Sequence, residues 1–455
     1  MFKLPEEIKN IFNLFKKNGF EIYLVGGAVR DLILGKTPDN FDFATNATPE
    51  KIQSLFPNAF YHNVYGTVSI PLETNNASLA KTLVEITPFR KESDYTDFRH
   101  PEKIEWAKTI EEDLARRDFT INTIAYDGEK IIDPFGGQND LKNKLIKTVG
   151  EPDKRFSEDA LRLIRAVRFS SELGFFIEEK TRKSIEKNAH LIAKISWERI
   201  RDEFLKILKS DHPAEGVLFL RNTGLLKYIL PELDICFSIP QKSPKRHHIY
   251  DVGTHSVLAL KYCSSKDEIT RFATLIHDIG KGQTFKKNEK TGLITFYNHE
   301  VVGKKLTEKI AERFKLSTEQ KTKLVRLVAY HQFSVSEAQT DRAIRRFIRQ
   351  VGKEYLDDMI NLRFADRLGS GAKKDSWRFK LFRQKLIEIQ KEPFKITDLK
   401  VDGHDVMRIL NIKPGPNIGR VLNHLFNQVI EKKLENKREI LLKEIEKFKD
   451  RVVRT

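Results

Sequence analysis

Cysteine is almost missing from this sequence: Cys236 and Cys263 are the only two in 455 residues. A disulfide scaffold and a Cys-rich zinc module are thereby excluded, and both thiols are expected to be buried. Long apolar runs are absent too, none reaching the ~18 residues that a membrane-spanning helix needs. The opening Met1-Phe2-Lys3-Leu4-Pro5-Glu6-Glu7 carries acids where a secretory signal carries a basic patch and an apolar core. These gaps point to the cytoplasm and to no membrane partner. Acid is the remaining deficit: Asp and Glu number 64 against 81 Lys and Arg, a formal charge of +17. Such an excess favours a polyanionic partner, most simply nucleic acid, unless it is spread evenly and serves only solubility.

With 40% hydrophobic and 32% charged residues the chain can bury real cores, and its length suggests about three domains. Before residue 150, β-prone runs at 21–25, 41–44, 66–71, 83–87 and 130–133 alternate with helical stretches and Gly or Pro punctuation. This is an α/β pattern. Afterwards apolar residues recur at helical spacing, as in Leu161, Ile164, Val167 and Phe169, so the remainder is expected to be mostly α-helical. Breaks are expected at Pro231 to Pro244, ahead of the basic Lys245-Arg246-His247-His248, and at Ser370 to Ser376.

The segment Glu21-Ile22-Tyr23-Leu24-Val25-Gly26-Gly27-Ala28-Val29-Arg30-Asp31 reads as a strand, a Gly-Gly turn and the first turn of a helix. Gly26 and Gly27 let backbone N–H groups approach a phosphate, with Arg30 completing the cradle; a plain tight turn is the other reading. Asp39-Asn40-Phe41-Asp42-Phe43-Ala44-Thr45 reads as a strand with positions 40 and 42 on one face and 39 on the other. Two carboxylates on one strand face are what two-metal phosphoryl transfer requires. With Val25 to Asp31 before it and Thr45-Asn46-Ala47-Thr48-Pro49-Glu50 after, this strand resembles the catalytic head of the class II tRNA nucleotidyltransferase and bacterial poly(A) polymerase family. Val84-Glu85-Ile86-Thr87-Pro88-Phe89-Arg90, Asp113-Leu114-Ala115-Arg116-Arg117-Asp118-Phe119-Thr120-Ile121-Asn122, Asp133-Pro134-Phe135-Gly136-Gly137 and Glu158-Asp159-Ala160-Leu161-Arg162 through Phe169 resemble its later motifs, in order. Ile195-Ser196-Trp197-Glu198-Arg199-Ile200-Arg201-Asp202-Glu203 leans toward the tRNA enzymes.

The resemblance implies an α/β nucleotidyltransferase head with a small mixed sheet, followed by a helical neck, an HD helical domain and a helical tail. It places catalysis on Asp42, Asn40 and Glu85, with Mg²⁺ at Asp42 and Asn40. Gly26, Gly27, Arg30 and Arg117 would hold the triphosphate and Asp118 the ribose. Asp159 and Arg162 would read the base edge from one helix face, with Arg165 and Arg168 completing the nucleotide site. ATP and CTP would be the substrates and the tRNA acceptor arm and 3′ end the partner, with no DNA; oligomeric state stays open. One departure matters: the family pattern has Asp at both strand positions, and here the first is Asn40. A neutral ligand about 2 Å from Mg²⁺ forfeits several kcal/mol of charge stabilisation. Either the head is a polymerase carrying an inactivating substitution, or it binds RNA while another domain does the chemistry.

Residues 247–370 hold that other chemistry: His255, His277-Asp278, Lys281, His299, His331 and Asp366. Spaced histidines on successive helices with two acids suit a metal site in a bundle core. The set resembles the HD metal-dependent phosphohydrolases. By that resemblance His255, His277, Asp278 and Asp366 hold one divalent metal, His299 and His331 extend the site to a second, and Lys281 contacts a phosphate. His404-Asp405 reads as a bland dipeptide. Lys413-Pro414-Gly415-Pro416-Asn417-Ile418-Gly419-Arg420 resembles the family's tail, and 429–449 reads as one charged helix. The expected division is 1–150 head, 151–235 neck, 245–370 HD domain and 375–455 tail. CCA addition to tRNA is the expected activity, with poly(A) synthesis, CC-only or A-only addition, and an HD phosphohydrolase with a weakened head as alternatives.

Overall fold

The computed structural model describes residues 2–62, 66–71, 83–95, 101–241, 250–333, 340–372, 377–390, 396–430 and 433–448. The Glu6–Lys17 helix buries Ile8, Ile11, Phe12 and Phe15, spaced three or four apart, and starts on acids and ends on lysines, which suits its dipole. It leads into β1 (Ile22–Val25), followed by β2 (Phe41–Thr45), β3 (Phe60–His62), β4 (Thr67–Pro71), β5 (Leu83–Pro88), the ribbon β6 (Arg90–Tyr95) and β7 (Pro101–Trp106), β8 (Ala125–Tyr126) and β9 (Ile131–Ile132). Seven of these form one sheet in the order β3-β4-β5-β2-β1-β8-β9. It is mixed: β2 pairs antiparallel with β1 and parallel with β5.

Alternation decides the faces. Ile22, Leu24, Phe41, Phe43, Val84 and Ile86 are all buried on one side, where a phenylalanine such as Phe41 or Phe43 contributes about 2–3 kcal/mol. The opposite side carries Asp42, paired in register with Val25 on one neighbour and Glu85 on the other. The strand starts only at Phe41, so Asn40 and Asp39 lie in the exposed bend ahead of it. Asn40, expected on the strand, thus stands one residue ahead of it, and the carboxylate paired with Asp42 across the sheet is Glu85.

Beyond residue 150 helices dominate, as expected; two small strand pairs stand outside the main sheet, Leu145–Ile146 with Phe176–Ile177 and Lys286–Lys287 with Ile294–Thr295. Both cysteines are buried. The largest apolar core runs from Leu4 through the neck to Ile389, with a small separate cluster of Val25, Ala44, Phe89, Ile110, Leu114 and Ala125 in the head. Another, from Leu399 to Ile445, belongs to the tail helices Gly403–Leu410, Pro416–Ile430 and Arg438–Glu446. The 429–449 stretch is therefore not one helix: Pro416–Ile430 ends and Arg438 begins another. The expected break at Pro231 falls between the Leu226–Ile229 and Pro231–Cys236 helices, and Pro231 opens the second, where its fixed φ and missing N–H cost nothing. Pro244, the basic run 245–248 and residues 373–376 lie outside the described residues. Among the described residues no helix is long and apolar enough to cross a membrane.

Candidate active site and metal centre

A cavity of about 700 Å³ opens beside the Asp42 face of the sheet, a size that accommodates a nucleotide. Gly26 turns the chain out of β1 with φ +69°, and a Cβ there would meet the Arg117 guanidinium at 3.1 Å. The turn thus needs glycine for both conformation and proximity. Arg30, on the Gly27–Ile33 helix, is held by Asp31 at 2.8 Å and donates to the Asn122 amide oxygen at 3.1 Å. Buried Asp113 fixes the guanidinium groups of Arg116 and Arg117. Eight arginines and four carboxylates line the cavity, an excess matched to a polyphosphate. Asp42 is open to the cavity, yet burial raises its pKa, Glu85 raises it further, and Arg117 draws it back in part. Two hard oxygen ligands under mutual repulsion are a fit for a divalent cation. Asn40 and Glu85 are not among the residues that line the cavity.

The Leu161–Leu173 helix supplies Arg162, Arg165 and Arg168. Asp159 precedes it, in extended conformation, and its Oδ1 accepts the Leu161 N–H at 3.0 Å. This corrects the expectation of Asp159 and Arg162 on one helix: Asp159 stands in the link ahead of it, where its carboxylate accepts a backbone N–H that a helical position would not offer. Both still line the cavity. Arg162 donates to the carbonyls of Arg155 and Arg116 and to Glu158. Arg165 pairs with Asp118 at 2.6 Å, and Arg168 with Glu203 at 3.0 Å. Glu203, on the buried face of the Trp197–Lys209 helix with Ile200, Phe204 and Ile207, is a site residue that sequence reasoning left without a role. A charge at an apolar position was the signal. Arg199 and Glu172 also line the cavity.

Asp118 is deeply buried. Burial would raise its pKa, but Arg165, Arg162 and the Asn122 amide outweigh it and hold the carboxyl at about 2, against an ordinary 3.8. A carboxyl depressed on folding contributes stability that is complete above its unfolded pKa and is lost as pH falls from about 4 to about 2, here about 2 kcal/mol. Asp118→Asn should lower the melting temperature at pH 7, and the gap from wild type should narrow as thermal denaturation is repeated toward pH 2.

A second cavity, of about 560 Å³, has Asp278, Lys281, His299, His331, Arg363 and Asp366 in its wall. His255 sits in the Val252–Tyr262 helix, His277 and Asp278 follow the Glu268–Ile276 helix, His299 opens the His299–Arg313 helix, His331 follows the Thr318–Tyr330 helix, and Asp366 lies in the Leu356–Gly369 helix. Their ligating atoms fall into two groups, His255, His277 and Asp366, and Asp278, His299 and His331. Asp278 joins them. Its Oδ2 lies 3.5 Å from His255 Nε2 and 3.3 Å from His277 Nε2, and its Oδ1 lies 3.4 and 3.5 Å from His299 and His331 Nε2. The Nδ1 atoms of His277, His299 and His331 face the carbonyls of Thr274, Phe296 and Val328 at 2.8, 3.0 and 2.7 Å. A carbonyl only accepts, so each Nδ1 carries a proton and each Nε2 is the nitrogen left facing the acids, the one through which a metal would be held. Burial disfavours the His277 imidazolium, but Asp278 and Asp366 outweigh it and raise its pKa to about 10. Lys281 binds Asp278 at 2.6 Å and Gln241 at 2.7 Å, so its ammonium is engaged with protein while facing the cavity. His404-Asp405 plays no such part: Asp405 completes the capping box of the Gly403–Leu410 helix.

The sheet, its carboxylate pair and the arginine-lined cavity define the chain as a nucleotidyltransferase. The model of the poly A polymerase head domain matches residues 22–147, that of the RNA and SrmB-binding site of polymerase A matches 174–236, and that of tRNA nucleotidyltransferase domain 2 matches 284–445. The CCA-adding enzyme of Ligilactobacillus salivarius is 32% identical over 98% of both chains. That of Geobacillus kaustophilus is 46% identical over 49% of this chain and 54% of its own length. The crystal structure of the Bacillus stearothermophilus CCA-adding enzyme in complex with CTP matches with a TM-score of 0.69 at 26% identity, covering 99% of this chain and 100% of that one. The chain belongs to the family of CCA-adding enzymes.

Proposed function

We propose that the protein rebuilds the 3′ end of tRNA in the cytoplasm, adding CMP and then AMP from CTP and ATP without a nucleic-acid template. The observation that carries this is the Asp42 and Glu85 pair beside an arginine-rich, nucleotide-sized cavity, in a chain related over its whole length to CCA-adding enzymes. The tRNA 3′-hydroxyl attacks the α-phosphorus of the nucleotide and pyrophosphate leaves. Gly26 and Gly27 bring backbone N–H groups to the triphosphate, and Arg30 and Arg117 neutralise and orient it. Asp118 faces the ribose; Asp159 and Arg162 meet the base edge, with Arg165 and Arg168 bracing the site. Asp42 and Glu85 would hold Mg²⁺, with the Asn40 amide oxygen as a neutral addition. When bound, that cation supplies positive charge to the phosphoryl oxygens and leaving group. The working division is a head at 1–150, a neck at 151–235, an HD domain at 245–370 and a tail at 375–455, with exposed Lys413 and Arg420 available to RNA phosphates.

The second cavity supports a second activity, metal-dependent hydrolysis of phosphate esters at RNA ends. Four imidazoles and two carboxylates make an N and O donor set suited to transition metals, with Asp278 between two ligand groups.

Wild type and Asn40→Asp are to be incubated with tRNA that ends before CCA and with CTP, ATP or both, and the products sized. Wild type should add CTP-dependent residues followed by one A, and Asn40→Asp should do so about tenfold faster by restoring a charged ligand. Long A tails would mean poly(A) synthesis, and addition that stops at CC, or of A alone, a partial enzyme. Silence from both proteins would leave the HD cavity as the working site.

A further inference from the structure

The carboxylate proposed to read the base, Asp159, has a partner from another helix. Arg199 Nη2 lies 2.8 Å from Asp159 Oδ2, while Asp159 Oδ1 accepts the Leu161 N–H. The carboxylate is thus gripped at two points on opposite oxygens, and each oxygen keeps a lone pair for a ligand. Arg162 does not share this duty, since its Nη1 and Nη2 are engaged by Arg155, Glu158 and Arg116. Arg199 Nη1 is buried and has no hydrogen-bond partner among the described residues, so the guanidinium is held at Asp159 with a donor to spare.

Support comes from outside the nucleotide cavity. Arg199 stands in the first turn of the Trp197–Lys209 helix. Trp197 packs on Phe314 at 5.4 Å, Arg313 lies over the Trp197 ring at 5.3 Å, and Arg201 donates to the Lys315 carbonyl at 2.8 Å. The helix start is therefore wedged against the bundle that follows it.

From this geometry we infer that Arg199 is a positioning residue that sets nucleotide selectivity by fixing the direction of the Asp159 carboxylate. Cytosine and adenine present an amino donor where uracil and guanine present a carbonyl acceptor. A carboxylate pinned in the cavity accepts from the first pair and repels the second; one free to rotate away discriminates less. The inference rests on the base-reading role proposed for Asp159.

Steady-state addition by Arg199→Ala, Arg199→Lys, Asp159→Ala and the Asp159→Ala/Arg199→Ala double variant tests it, with CTP, UTP and ATP on tRNA lacking CCA. Arg199→Ala should lower the preference for CTP over UTP by about tenfold, chiefly through the KM for CTP. Arg199→Lys, which keeps a cation within reach, should recover part of that preference. The double variant should be no less selective than Asp159→Ala alone, because the two residues act as one unit. An Arg199→Ala enzyme that loses melting temperature and kcat for every nucleotide equally, with its CTP preference intact, overturns the inference. If Asp159→Ala itself leaves the preference intact, the base-reading role fails first; if Asp159→Ala abolishes it and Arg199→Ala does not, only the role of Arg199 fails.

Discussion

Asp42→Asn should reduce the kcat for CMP and AMP addition by about a thousandfold or more, while the KM for either nucleotide changes less than about threefold. The substitution keeps the volume and one oxygen but removes the charge from the strand face that meets the cavity. Asp42 is paired in register with Glu85 and sits against Arg117, and its pKa is raised by burial and by Glu85. A carboxylate that disfavours its own charge in this way has a reason to recruit a cation, and neutralising it removes the strongest ligand. The cradle proposed for the triphosphate draws on other residues, Gly26, Arg30 and the Asp113-anchored Arg116 and Arg117, so ground-state binding should survive. Glu85→Gln should be milder, about ten- to a hundredfold, because Glu85 is set back from the cavity wall. The check is a single-turnover assay on tRNA lacking CCA. An Asp42→Asn enzyme within tenfold of wild type would remove Asp42 from the chemistry and leave Glu85 or the bend at Asp39 and Asn40 to account for it.

That pair illustrates what local reading reaches. The strand, Gly-Gly turn and helix at 21–31 and the strand through Asp42 are both present, because period-two alternation and glycine punctuation are properties of a few adjacent residues. The neighbour of Asp42 is not local: Glu85 arrives by a parallel pairing of strands far apart in sequence, and register of that kind is fixed by the whole sheet. The ribbon β6 and β7 escaped for another reason. Arg90-Lys91-Glu92-Ser93-Asp94-Tyr95 is charged, with no apolar alternation to betray a strand. Asp159 was misplaced because spacing from Arg162 ignores where a helix begins, and Asp159 stands in the link ahead of it. Arg199 and Glu203 were within view, but a charged residue on a helix is ordinarily solvated; their partners, Asp159 and Arg168, lie on other elements. The histidines were legible as a set because so few other uses bring four of them near two acids, yet their separation into two groups around Asp278 depends on how five helices and their ends converge.

That division yields the second large effect. Wild-type protein purified without chelator should carry about two transition-metal equivalents per chain, and Asp278→Ala should carry neither. Among the described residues only Asp278 has two oxygens that face both ligand groups, at 3.3 to 3.5 Å from four imidazoles. Removing it takes the shared anion from each metal and leaves each with one ligand fewer. His331→Ala should by contrast lose about one equivalent, since His255, His277 and Asp366 remain a complete group. Hydrolysis of a phosphate ester at an RNA end should fall about a thousandfold in Asp278→Ala. CTP and ATP addition should stay within about threefold of wild type, because Asp42, Glu85 and the arginine cradle contribute nothing to this cavity. Metal content by mass spectrometry and the two activities, measured on the same preparations, separate the possibilities. Two metals retained in Asp278→Ala would break the bridging assignment. Metal lost without any loss of hydrolysis would show that the bound ions are structural, holding five helix ends together in place of the charge pairs that Lys281 and His277 make with Asp278.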